Sequence, residues 1–201
     1  METIRKNGEK TMFCLIRHGA TDWEKGVPRL EAHEDLPLNS DGINQARELA
    51  RKLKKHKWEL LFTSDLKRAR DTAAIISEKL KIPLVLRPEL RERNHGILTG
   101  KSISPGADKV NFLSKASGRE PLGKFIRRVR SFGLFLHKHR KHNVLVVSHG
   151  GFLRTFAAVL LMKQKQHWGN AEILMAPYEA IGSQAKRLHA PKTPPQGLRE
   201  M

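Results

Sequence analysis

The stretch Val144-Leu145-Val146-Val147-Ser148-His149-Gly150-Gly151 decides the fold. Four apolar residues, three of them β-branched, read as a strand. A polar turn and two glycines follow, and then an apolar helix over about Phe152 to Met162. The same order recurs upstream. Residues 11–16 (TMFCLI) read as a short buried strand that ends at Arg17-His18-Gly19. Leu60-Leu61-Phe62 is a second strand, ending at Thr63-Ser64, and a helix over 66–80 carries Leu66, Ala69, Ala73, Ile76 and Leu80 on one face. Pro83 opens a third strand at Leu84-Val85-Leu86.

Two further helices complete the pattern. Ser40 is the expected N-cap of a helix bearing Ile43, Ala46, Leu49, Ala50 and Leu53. Leu122, Phe125, Ile126, Val129, Phe132 and Leu136 define the strongest amphipathic helix in the chain. Strands alternating with helices imply an α/β fold: a three-layer sandwich with a mostly parallel central sheet flanked by helices. In such sheets ligands bind outside the carboxyl ends of the strands. That rule brings Arg17-His18, Thr63-Ser64 and Ser148-His149 to one edge, although His18 and His149 are far apart in sequence.

Composition sets outer limits. The chain has 201 residues, about one domain's worth, and 39% hydrophobic residues support a packed core. The expected organisation is one domain over 1–185, a small lid over 101–118 and a flexible basic, Pro-rich tail over 186–201. No apolar run approaches the roughly 20 residues that a membrane span needs. Met1 to Lys10 lacks an apolar signal core, and Cys14 is the only cysteine, which fits a cytoplasmic setting. The formal charge of +18 attracts anions of any class. Much of the excess lies in 47–57 and 119–141, runs that read first as solvated helix faces. The aromatic residues near these runs are Trp58 and Phe132 or Phe135, and periodicity assigns the latter two to the core. Neither run therefore offers the exposed interleaved rings that stacking on single-stranded nucleic acid would require, which weighs against a nucleic-acid partner.

The strand-end residues suit phosphate chemistry. Arg17 and Arg68 are permanently charged forks that donate bidentate hydrogen bonds, and Arg68 lies where a helix N-terminus adds positive character. His149 adds a donor, and His18 can attack phosphorus as a neutral imidazole. Glu92, placed after the third strand, is the leading proton donor to a departing alkoxide, with Asp22 and Asp65 as weaker alternatives. Each residue also has a plainer reading. Arg68 could pair with Asp65 or Asp71, and Glu92 could be one of several exposed charges in 89–93.

Five blocks in order resemble the histidine phosphatase superfamily, whose fold is phosphoglycerate mutase-like. They are Leu15-Ile16-Arg17-His18-Gly19-Ala20-Thr21 with Trp23; Asp35-Leu36-Pro37-Leu38 with Gly42, Gln45 and Ala46; Thr63-Ser64-Asp65-Leu66-Lys67-Arg68-Ala69 with Thr72-Ala73; Leu90-Arg91-Glu92-Arg93-Asn94-His95-Gly96; and Val146-Val147-Ser148-His149-Gly150-Gly151. The resemblance implies a phosphoric monoester hydrolase acting on a small phosphorylated metabolite. His18 is then the phosphorylated nucleophile, Arg17, Arg68 and His149 the phosphate pocket, and Glu92 the proton donor. It also implies no metal or organic cofactor; His137, His139 and His142 cluster in sequence but read as exposed. The alternatives are a phosphoglycerate mutase, which the short chain disfavours, and a protein that only binds phosphate or nucleic acid.

Three positions depart from that family's pattern. Glu24 follows Trp23, and a carboxylate there would repel phosphate unless Lys25 neutralises it or it points away. Leu98-Thr99-Gly100 replaces a Trp-Glu-Gly ending. Gly118-Arg119-Glu120-Pro121 only partly matches a segment that shapes substrate choice.

Overall fold

In the computed structural model, residues 10–102, 118–165 and 167–181 are described. The expected tail over 186–201, and all of the expected lid except Lys101, Ser102 and Gly118, lie outside them. The described strands are β1 (Met12–Arg17), β2 (Leu60–Thr63), β3 (Leu84–Leu86), β4 (Val144–Ser148) and β5 (Ile173–Pro177). The α-helices are α1 (Ser40–Leu53), α2 (Lys67–Leu80), α3 (Leu122–Lys138) and α4 (Gly150–Leu160). The strands form one sheet in the order β3-β2-β4-β1-β5.

Side-chain alternation along the central strands builds three layers. Phe13, Leu15, Phe62, Val144 and Val146 face one side, where Phe125, Val129 and Phe132 of α3 and Phe152 and Phe156 of α4 cover them. Cys14, Ile16, Leu61, Leu145 and Val147 face the other, against Leu49, Ala50 and Leu53 of α1 and Ala69, Ala73 and Ile76 of α2. All five residues of β4 are buried, as a strand covered on both faces must be.

The expected α/β sandwich is present, with differences at its margins. The sequence reading contained no strand after α4. β5 pairs antiparallel with β1, setting Ile173 opposite Ile16 and Pro177 opposite Met12. Its residues are mostly half-buried, so they carry a weaker apolar signal than β4. The N-cap of α1 is Asn39 rather than Ser40: the Asn39 side chain accepts from Gly42 N at 2.9 Å. The fourth helix begins at Gly150, directly after His149, and not at Phe152. Arg47, Arg51, Lys52, Lys54, Lys55 and Lys57 are all exposed, as a solvated face predicts. His137 and His139 correct the reading as exposed residues: both are half-buried, and the His139 ring lies 5.1 Å from Phe62 and 4.6 Å from Phe135.

Candidate active site

Strand register assembles the site. β1 and β4 run parallel with Arg17 opposite Ser148, so His18 and His149 leave the sheet side by side. Their ring centroids are 5.1 Å apart. The turn after β1 is fixed from several directions. His18 N donates to Ser148 O (3.0 Å), and Ala171 N donates to His18 O (3.1 Å). Gly19 N donates to Thr72 Oγ1 of α2 (3.0 Å), and Ala20 N to Gln45 Oε1 of α1 (2.9 Å). A Cβ on Gly19 would meet Gly42 O at 2.5 Å, and one on Gly42 would meet Ala20 O at 2.2 Å. Backbone therefore touches backbone where the His18 turn crosses the start of α1.

These contacts set the chemistry of His18, which is 1% exposed. Its Nδ1 lies 2.8 Å from Gly19 O. A carbonyl only accepts, so Nδ1 carries the hydrogen and Nε2 carries the lone pair. Burial, and then the charges of Arg68 and Arg17, hold the His18 pKa well below the ordinary histidine value. Burial, Arg68 and His18 act on His149 in the same direction. Ser64 Oγ lies 2.9 Å from His149 Nε2 and also accepts from Leu66 N at 3.3 Å. His149 Nδ1 is buried and has no hydrogen-bond partner among the described residues.

Arg68 is fully buried at the start of α2. Its Nη1 and Nη2 donate to the carbonyls of Glu34 (2.7 Å) and Ala32 (2.9 Å), and its Nε donates to His18 Nε2 (3.3 Å). Asp65 and Asp71, the partners a plain surface reading would give it, pair instead with Arg91 (2.5 Å) and Lys67 (3.4 Å). Arg17 donates from Nη1 to Trp168 O (2.6 Å) and from Nη2 to Glu24. Its buried Nε has no hydrogen-bond partner among the described residues. Glu24 thus neither points away nor depends on Lys25, which pairs with Asp22 at 3.2 Å; Arg17 compensates it.

Glu92 sits on the loop after β3, at the same sheet edge. Its Oε2 accepts from Gly151 N (2.8 Å) at the start of α4, and its Oε1 from Arg93 N (2.9 Å). A Cβ at position 151 would meet Glu92 Oε1 at 2.5 Å, so a glycine there is what admits the carboxylate. Arg128 of α3, a residue the sequence reading treated only as part of a charge run, secures this loop. It donates to the carbonyls of Glu89 (2.8 Å) and Arg91 (2.7 Å) and pairs with Glu120 (2.6 Å). Glu31 was missed altogether. It is 9% exposed, with Oε2 3.0 Å from Arg68 Nε and 3.5 Å from His18 Nε2. Only its position one residue before a left-handed Ala32 (φ 44°) marks it, and that is not visible in a sequence.

His18, His149, Arg17, Arg68 and Glu92 thus occupy one sheet edge, as the strand-end rule predicted. A cavity of about 920 Å³ lined by Trp23, Lys25, Arg29 and Lys101 lies to one side of this cluster and does not include the histidines. Among the described residues no group of three or more His, Cys, Asp or Glu side chains is arranged to hold a metal ion.

A family model for the histidine phosphatase superfamily (branch 1) matches residues 13–189. The chain belongs to that superfamily. It is 42% identical over 93 residues to the uncharacterized phosphatase PhoE of Bacillus subtilis, a match covering 46% of this chain and about half (48%) of that protein. It is 33% identical over 167 residues to a metal-independent phosphoserine phosphatase of Arabidopsis thaliana, covering 76% of this chain and 70% of that one. The structure of a mycobacterial glucosyl-3-phosphoglycerate phosphatase superposes with a TM-score of 0.70 at 26% identity, covering 83% of this chain and 90% of that one. The phosphoglycerate mutase-like fold and the expectation of phosphatase chemistry on a small phosphorylated molecule are thereby supported.

Proposed function

We propose that this chain hydrolyses a phosphomonoester of a small anionic metabolite through a phosphohistidine on His18. The observation that carries the reading is the Nδ1–Gly19 hydrogen bond, which leaves the Nε2 lone pair facing Arg68 in a buried, cationic setting. Nε2 attacks phosphorus, a P–N bond forms and the ester P–O bond breaks. Arg17, through its unpartnered Nε, His149, through Nδ1, and Arg68 hold the phosphoryl oxygens and offset their charge. Glu92 gives a proton to the departing alkoxide, then takes one from the water that attacks the phosphohistidine and releases phosphate. Relatives named for phosphoserine and glucosyl-3-phosphoglycerate support a small-molecule substrate. No helix among the described residues is long and apolar enough to cross a membrane. We also propose a cytoplasmic setting, which accords with Cys14 as a buried free thiol whose pKa burial pushes up to about 12.

The test is p-nitrophenyl phosphate hydrolysis in EDTA by the wild type and by His18→Ala. Wild-type turnover should fall by at least about 10³-fold in the variant, with an unchanged circular dichroism spectrum. Retained turnover would remove His18 as the nucleophile. No turnover in either protein would favour a mutase or a purely binding role.

A further inference from the structure

Glu31 is a carboxyl group at the reactive nitrogen itself. Its Oε2 stands 3.5 Å from His18 Nε2 and forms an ion pair with Arg68 at 3.0 Å from Nε, while its Oε1 accepts from Thr21 Oγ1. A phosphoryl group bonded to Nε2 would bring its oxygens up against Oε2. The carboxyl has little room to withdraw. Arg68 grips the carbonyls of Ala32 and Glu34, which follow Glu31, and Glu34 N donates back to Glu31 O at 2.9 Å. The groups facing Glu31 are Arg68 of α2, His18 and Arg17 at the end of β1, and Glu24 in the turn after it. Glu24 is already committed to Arg17, to Thr21 N (3.2 Å) and to Asn170 Nδ2 (2.5 Å). An ionised Glu31 would set a third charge of the wrong sign beside Glu24 and an incoming phosphate. A protonated Glu31 would instead donate a hydrogen bond to a phosphoryl oxygen.

We propose that Glu31 is a phosphate-binding residue that works in its acid form, so that the pocket takes up one proton when it takes up a tetrahedral dianion. This rests on the reading of the cluster as a phosphate site. Burial raises the Glu31 pKa, with Arg68 opposing and Glu24 reinforcing the rise, which is the direction the proposal needs. His149 is fully buried and its Nδ1 has no partner among the described residues, an independent sign that a polar group of a ligand belongs beside it.

The probe is inorganic sulfate, a tetrahedral dianion that does not itself titrate between pH 5 and 8. Its affinity for the full-length wild type, measured by calorimetry, should fall by about tenfold per pH unit once Glu31 ionises, because one proton is linked to binding. For Glu31→Gln the affinity should change less than about twofold over the same range and exceed wild type at pH 8. Wild type alone should also show uptake of about one proton per sulfate in buffers of different ionisation heat, which tests the linkage even if the variant folds poorly. The same pH slope in Glu31→Gln, or no proton uptake by wild type, would overturn the role of Glu31 while leaving a phosphate pocket intact. Sulfate binding to neither protein at any pH, with no phosphate binding either, would overturn this proposal and the phosphate-site reading together.

Discussion

Glu92 and His18 share a sheet edge but are held by different means, and their variants should fail differently. His18 is locked by one carbonyl and its neighbours' charges, whereas Glu92 rests on two backbone N–H groups and on a loop tied down by Arg128. If Glu92 protonates the leaving oxygen, Glu92→Gln matters most where the leaving group is a poor one. The expected loss is about 10²–10⁴-fold on an alkyl phosphate and much less on p-nitrophenyl phosphate. Equal losses on the two substrates in steady-state assays would sink the assignment. Arg128 is a positioning residue for the same loop, since it touches carbonyls of Glu89 and Arg91 rather than the reacting atoms.

Close approaches between elements decide which glycines tolerate a methyl group. Gly42 lies where α1 meets the His18 turn, and its added Cβ would strike the Ala20 backbone at 2.2 Å. Gly133 lies where α3 meets α4, and its added Cβ would strike only Leu160 Cδ1, at 2.3 Å. A leucine side chain can change rotamer, but two hydrogen-bonded backbones cannot part without losing the Asn39 N–Ala20 O bond (3.0 Å). Gly42→Ala should therefore cost at least the roughly 1–3 kcal/mol typical of overpacking, and should lower turnover by displacing His18. Gly133→Ala should cost less and leave turnover near wild type. Urea denaturation with parallel kinetics checks both; a reversed order would mean that the α1 contact yields more easily than the α3–α4 packing.

At the scale of the whole molecule, buried His18 and His149 and half-buried His95 govern acid stability. Burial lowers the pKa of His18 and His149 well below 6.5 and that of His95 to about 4. The unfolded chain then binds more protons than the folded one once the pH drops below about 6.5, so stability falls as pH falls through that region. Glu31 has the opposite sign: its raised pKa stabilises the fold below the ordinary glutamate value and loses that contribution as pH rises. Three histidines against one carboxyl predict a melting temperature that drops from pH 7 to pH 5. His95→Gln should make that drop shallower; an unchanged slope would remove His95 from the account. The charge of +18 adds repulsion in acid, but the variant leaves it unaltered, so the comparison isolates the histidine.

Much of this was legible in the chain itself. Strand and helix signals for β1, β2, β4, α2 and α3 are local, because apolar periodicity depends only on which face is buried. Together with the strand-end rule they were sufficient to bring Arg17, His18, Arg68, Glu92 and His149 to one edge. What escaped depends on contacts between distant residues. β5 exists because its backbone completes the β1 edge, a pairing that its half-buried side chains scarcely announce. Glu24 was noticed as a misplaced charge, but only the fold shows Arg17 compensating it. Glu31 looks like any surface acid in a polar loop. The tertiary structure sets it between Arg68 and His18 because Arg68, buried on α2, draws the 31–34 backbone across the site through the carbonyls of Ala32 and Glu34. Periodicity records burial along one element, whereas the protonation chemistry of this site is decided by which charges the fold forces to share a buried volume.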